Sequence, residues 1–225
     1  MDNKSFGFMN NFTLKMIAII TMIIDHIGYI FVPTGTTYYD IFRAIGRISF
    51  PIFCFLIVEG FFHTRSHVNY LIRLTVFALL SEFPFDLAFH KTPLYWGSQN
   101  VFITLALGLF AIFCLEEMNN RRRYVIPLVL IFCVAFFSNC DYGIGGVLLI
   151  CMFYITRHNP FIRVFLTVLI LYMFYNPTEL YGTIALIPIM CYNGKRGPKA
   201  KMIFYWLYPV HLLILFGISL IIKNA

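Results

Sequence analysis

The sequence predicts an all-α fold, a polytopic transmembrane helix bundle of about nine helices with the amino terminus inside and the carboxyl terminus outside. Three observations predict it. The 225 residues are 60% hydrophobic and 12% charged with a mean hydropathy of +0.79, well outside the range of a soluble domain. Apolar runs of bilayer-spanning length recur between short polar stretches. The cations are shared unevenly between alternate loops. With the amino terminus inside, Lys4, Lys15, Arg65, Arg73, Arg121, Arg122, Arg123, Arg157, Arg163, Lys195, Arg196, Lys199 and Lys201 fall on the cytoplasmic side, against Arg43, Arg47, Lys91 and Lys223 on the other. The net charge of +7 is therefore a topology signal first, and does not point to nucleic acid.

The expected spans are residues 14–33, 44–63, 68–90, 99–118, 123–138, 143–157, 161–175, 178–193 and 201–222. Several of the later ones are short, which implies local thinning, re-entrant geometry or burial among other helices. The first carries ionisable groups at depth, with Lys15 at its start and Asp25 and His26 near its far end. At about 100° per residue, Lys15 and His26 share one helix face, separated by a rise of roughly 16 Å. That spacing suits an anionic ligand that enters from one side and reacts partway across. Asp25 lies about 100° around the helix from His26, so Glu59 or Glu82 from a neighbouring helix is an equal candidate to orient the imidazole.

In the second span Arg43 and Arg47 sit one turn apart, as do Glu59 and His63 at its other end. Buried arginines in lipid need a carboxylate or an anionic substrate. Gly46, Pro51 and Gly60 predict that this span is not straight. The third span presents Glu82 and Asp86 at i and i+4 around Pro84, either to neutralise Arg43 or Arg47 or to act in chemistry. The fourth opens on Gln99 and Asn100, where Asn100 could bond a neighbouring helix or a substrate. Residues 123–193 are largely featureless apart from a glycine-rich turn at 141–146 and the run Asn176-Pro177-Thr178-Glu179. In the last span His211 lies one turn after Tyr208. The six cysteines are scattered singly without CxxC spacing and read as packed small hydrophobes. No cleavable signal peptide or internal repeat is evident, so residues 1–225 are treated as one membrane-embedded domain.

The stretches LKMIAIITMIIDHIGYIF, GRISFPIFCFLIVEGFFHTR, FALLSEFPFDLAF, QNVFITLALG, DYGIGG and YWLYPVHLLIL resemble, in order and over most of the chain, the TraX family of membrane proteins. That family is known for the acetylase of the conjugative pilin amino terminus, and it looks related to the wider transmembrane acyltransferases. Those share a basic residue, ten intervening residues and a histidine in the first helix, the pattern of Lys15 and His26. The resemblance implies a bacterial inner-membrane acetyltransferase that takes acetyl-CoA as donor and acts on an amine or hydroxyl of a peptide, pilin-like or glycan acceptor. It implies His26 as catalytic base or acyl carrier with Asp25 beside it, and Lys15, Arg43 and Arg47 holding the anionic coenzyme or substrate. The Tyr208 to His211 element is similar to one near the end of that fold.

Acyl transfer from a thioester needs a base, stabilisation of the oxyanion and exclusion of water. His26, with Asp25, Glu59 or Glu82, supplies the base. Arg47 or Asn100 suits the oxyanion, and His63, Asp86 and His211 complete the expected binding set. Two other classes fit some of these residues: a small proton-coupled secondary transporter relaying protons through His26, Glu59, His63, Glu82 and Asp86, and a metalloenzyme built on Glu59, His63 and His26. No paired broken-helix repeat supports the first, and no HExxH-type spacing supports the second. No metal is expected. A non-catalytic scaffold leaves so many ionisable groups in lipid unexplained.

Overall fold

The computed structural model describes residues 7–118, 121–198 and 201–224, and their regular structure is helical. Lys4 and Lys199, counted in the charge bias, lie outside the described residues, as does the side chain of Lys201. Helix α1, Asn11–Phe31, starts where the Asn10 side chain accepts from the Thr13 N–H at 3.0 Å, and it stops just before Pro33. The second apolar stretch is longer than expected and broken. It forms α2, Thr37–Gly46, and α3, Ser49–His63, separated by Arg47 and Ile48. Pro51 has no N–H for the carbonyl of Arg47, so the ladder lapses at that point.

Helices α4, His67–His90, and α5, Val101–Met118, follow. Then come α6, Val125–Phe137, α7, Gly143–Ile155, and α8, Pro160–Phe174. The expected span 178–193 is not a continuous α-helix. Pro177–Ala185 is a 3-10 segment, followed only by the short α9, Leu186–Met190. Gly182 and Pro188 work against a regular helix there. Helix α10, Lys201–Asn224, ends the described chain.

Asn11–Phe31, Thr37–His63, Val101–Met118 and Met202–Lys223 are long and apolar enough to cross a bilayer, and the chain is a membrane protein. Large apolar side chains on α6 and α8, among them Ile126, Phe161, Phe165 and Tyr172, point outward, as lipid contact requires. Segments run to and fro between two ends of the bundle. The end carrying the amino terminus is tied by Met9 pairing with Tyr192 and by Glu59 with Arg157. The opposite end is tied by Gln99 pairing with Cys140 and by Tyr175 Oη donating to the Tyr142 carbonyl at 2.7 Å.

Packing follows a ring in which α1 meets α3, α3 meets α7, α7 meets α5, α5 meets α4, α4 meets α10, and α10 returns to α1. Close approach of α1 and α2 rests on Gly28 and Gly46. A Cβ on Gly28 would overlap the Phe42 side chain, and one on Gly46 would overlap that of Asp25.

Candidate functional site

Two cavities lie end to end inside the ring. The proximal one, about 540 Å³, opens toward the amino-terminal end and is lined by Lys15, Glu59, His63, Arg65 and Arg196 among largely apolar walls. The distal one, about 230 Å³, is lined by Asp25, His26, Arg43, Arg47, Asp141 and Tyr142. Met22, Phe53, Val101 and Tyr208 line both and form a collar between them. The helical spacing of Lys15 and His26 thus places the cation on one side of the collar and the imidazole on the other.

His26 is half-buried, and its Nδ1 lies 2.7 Å from Nε2 of His211, with the two rings within 10° of parallel. His211 is buried and its Nδ1 lies 2.9 Å from the Leu207 carbonyl oxygen, one turn back on α10. Phe89 and Tyr208 pack edge-on against the His26 ring. The partner of His26 therefore comes from α10 and is none of the carboxylates considered from sequence.

Asp25 faces away from this pair into an ion cluster. Its Oδ2 accepts from Arg43 Nη1 at 2.7 Å, and both oxygens accept from Arg47 Nη2 at 2.8 and 2.9 Å. Arg47 also pairs through Nη1 with Glu179 of the 3-10 segment, and donates Nε to the Arg43 carbonyl at 3.3 Å. The helix break at Arg47 and the tight passage of Gly182 beside the Arg47 carbonyl bring this cluster together. Two acids and two arginines balance within it, which is how buried charges persist in lipid.

Several sequence expectations are corrected. Asp25 sits beside His26 in sequence, yet it serves the arginines, because the helix turn points it at α2. Glu59 lies in the proximal wall, 3.8 Å from Arg157 Nε, on the other side of the collar from His26. Glu82 and Asn100 line neither cavity. Asn100 donates Nδ2 to Glu82 and, at 2.8 Å, to the Ala78 carbonyl, and its Oδ1 accepts from the Phe102 N–H at 3.0 Å. They lock α4 to the start of α5, so neither arginine is neutralised from α4. Asp86, fully buried, accepts from the Tyr95 N–H at 2.8 Å and pins the loop between those helices. His63 is an exposed residue at the proximal mouth, its Nδ1 on the Glu59 carbonyl at 2.8 Å. With Glu59 and His63 proximal and His26 distal, the metal reading loses its geometry. Among the described residues no three His, Cys, Asp or Glu side chains are grouped to hold a metal ion.

From sequence, Glu179 and Tyr208 have no site role, and Arg65 and Arg196 stand only among the cations of the basic inner loops. A lone acid within an apolar stretch was the available signal for Glu179, and the i, i+3 spacing to His211 was that for Tyr208. Nothing local in the sequence singles out the two mouth arginines from the general basic bias.

A sequence model described as "TraX protein" matches residues 11–219. The "Probable fimbrial assembly protein FimC, serogroup H1" of Dichelobacter nodosus is 32% identical, over 91% of this chain and 93% of that protein. An uncharacterized protein of Rickettsia prowazekii (strain Madrid E) is 24% identical, over 65% of this chain and 55% of its own length. No solved structure matches the chain.

Proposed function

This chain belongs to the TraX family, and from that premise we propose that it is an acetyltransferase of the bacterial inner membrane, with its amino terminus inside. It moves an acetyl group from cytoplasmic acetyl-CoA to an amine or hydroxyl of an acceptor that arrives from the membrane or the outer face. The relative named for fimbrial assembly favours a peptide or pilin-like acceptor over an envelope glycan. The observation that carries this reading is the pair of cavities meeting at the Met22, Phe53, Val101 and Tyr208 collar, with His26 on its far side.

In this reading the coenzyme occupies the proximal cavity. Its phosphates lie near Lys15, Arg65 and Arg196, and its thioester reaches the collar. The apolar walls keep water from the thioester. The acceptor approaches through the distal cavity. His26 removes a proton from its N–H or O–H as the heteroatom attacks the thioester carbonyl. The carbon–sulfur bond then breaks, and the proton on His26 passes to the leaving thiolate. Arg43, with 22% of its side chain exposed and lining the distal cavity, is better placed to meet negative charge than Arg47, whose Nε, Nη1 and Nη2 are all engaged.

The test is acetyl transfer in inverted membrane vesicles supplied with radiolabelled acetyl-CoA. Wild-type protein is expected to place acid-stable label on membrane-associated acceptors, and His26→Ala to place none above vesicles lacking the protein. Equal labelling by the variant removes His26 from the chemistry. Proton-coupled uptake by proteoliposomes without acetyl transfer sinks the whole reading.

A further inference from the structure

The hydrogen-bond chain on α10 fixes which nitrogen of His26 is available for chemistry. A backbone carbonyl can only accept, so the 2.9 Å contact between His211 Nδ1 and the Leu207 oxygen requires a proton on that Nδ1. In the neutral ring the other nitrogen, Nε2, then carries a lone pair and no proton. That nitrogen faces His26 Nδ1 at 2.7 Å, a distance at which one of the two must donate. The donor is therefore His26 Nδ1–H, and His26 Nε2 is left with its lone pair, on a ring that lines the distal cavity.

We infer that His211 is a positioning residue: through the relay from the Leu207 carbonyl it holds His26 in the Nδ1–H tautomer, making Nε2 the base. The inference rests on the acetyl-transfer reading only for what Nε2 does, because the tautomer itself follows from the contacts. It also changes the expected role of His211 from binding of substrate or coenzyme to control of the base. When His26 Nε2 takes a proton, the imidazolium stays bonded through Nδ1–H to a good acceptor, as a base partnered by a carboxylate would. The packing agrees with a fixed geometry, since Tyr208 meets both rings edge-on at 6.3 and 5.5 Å and Phe89 closes the His26 ring at 5.1 Å.

Substitutions at 211 separate this role from packing. Gln carries a carbonyl oxygen about where Nε2 lies and can accept from His26 Nδ1–H, so His211→Gln keeps the tautomer. Leu fills similar space without an acceptor. Lys offers only donors and forces the opposite tautomer. The direct readout uses detergent-solubilised full-length protein labelled with ¹⁵N-histidine, with the His26 signals assigned by their loss in His26→Gln. The relay predicts a protonated Nδ1 and a bare Nε2 at His26 in wild type and His211→Gln, and loss of that preference in His211→Leu. A bare Nδ1 in the wild type, or an unchanged tautomer in His211→Leu, overturns the proposal.

With radiolabelled acetyl-CoA in vesicles, His211→Gln is expected within about fivefold of wild type. His211→Leu and His211→Lys are expected to lose about 10²-fold or more in kcat, with the KM for acetyl-CoA unchanged. A raised KM at unchanged kcat would return His211 to substrate or coenzyme binding and overturn its part in positioning the base. The expected tautomer pattern in a protein that transfers no acetyl group leaves the relay standing and removes only the proposed reaction.

Discussion

Arg47→Met tests whether the ion cluster beside the collar is held by one shared guanidinium. The side chains of Arg47 and Asp25 are each 10% exposed and that of Glu179 is 13% exposed, so all three charges are withdrawn from water. Removing Arg47 leaves Glu179 without its partner, while Asp25 keeps Arg43 at 2.7 Å. Stranding one buried charge in this way costs about 3–5 kcal/mol. For a chain of this size that corresponds to a fall in Tm of roughly 6–20 °C, measured by thermal unfolding of the purified protein in one detergent. Glu179→Gln alone is milder, because Arg47 retains Asp25 through Nη2. The pair of changes provides the sharper check. Once Glu179 is neutral, no acid is stranded, so Arg47→Met with Glu179→Gln should be more stable than Arg47→Met by about 1–3 kcal/mol. A double variant whose losses simply add, or an Arg47→Met protein within about 1 kcal/mol of wild type, would mean that the cluster is not held by the Arg47 guanidinium.

Three further outcomes follow from the same contacts. Gly46→Ala places a Cβ against the Asp25 side chain and should cost about 1–3 kcal/mol, read as a lowered Tm, with a matching loss of acetyl transfer as α2 is pushed from α1. Asn100→Ala strands the Phe102 N–H and leaves Glu82 only the longer bond from the residue 100 backbone N–H, and it should cost about 1–3 kcal/mol in thermal unfolding while leaving the KM for acetyl-CoA unchanged. Lys15→Met, at the proximal mouth, should raise the KM for acetyl-CoA about 10-fold or more with little change in Tm, in line with the loss of one charge-assisted contact. A Lys15→Met protein with a wild-type KM moves the coenzyme elsewhere.

The parts legible in the sequence were those governed by periodicity. The helical spacing of Lys15 and His26 placed them on one face, and the structure sets one in each cavity. The expected irregularity of the second span appears as the break at Arg47, where Pro51 withholds its N–H. What sequence did not reveal depends on contacts across long separations. Glu179 meets Arg47 across 132 positions, and His211 meets His26 across 185. The i, i+4 pair Glu82 and Asp86 looked equally able to serve the arginines. Each is instead committed locally, to the start of α5 and to the Tyr95 N–H. The segment 178–193 reads as a span by hydropathy alone, yet Gly182 and Pro188 work against a continuous α-helix, and a 3-10 segment carries Glu179 to the cluster.

The most direct measurement is a structure of the full-length protein with acetyl-CoA bound. The proposed reaction places the nucleotide end of the coenzyme among Lys15, Arg65 and Arg196, and the thioester at the Met22, Phe53, Val101 and Tyr208 collar within reach of His26 Nε2. A coenzyme seated in the distal cavity, or a thioester held away from His26, would contradict it.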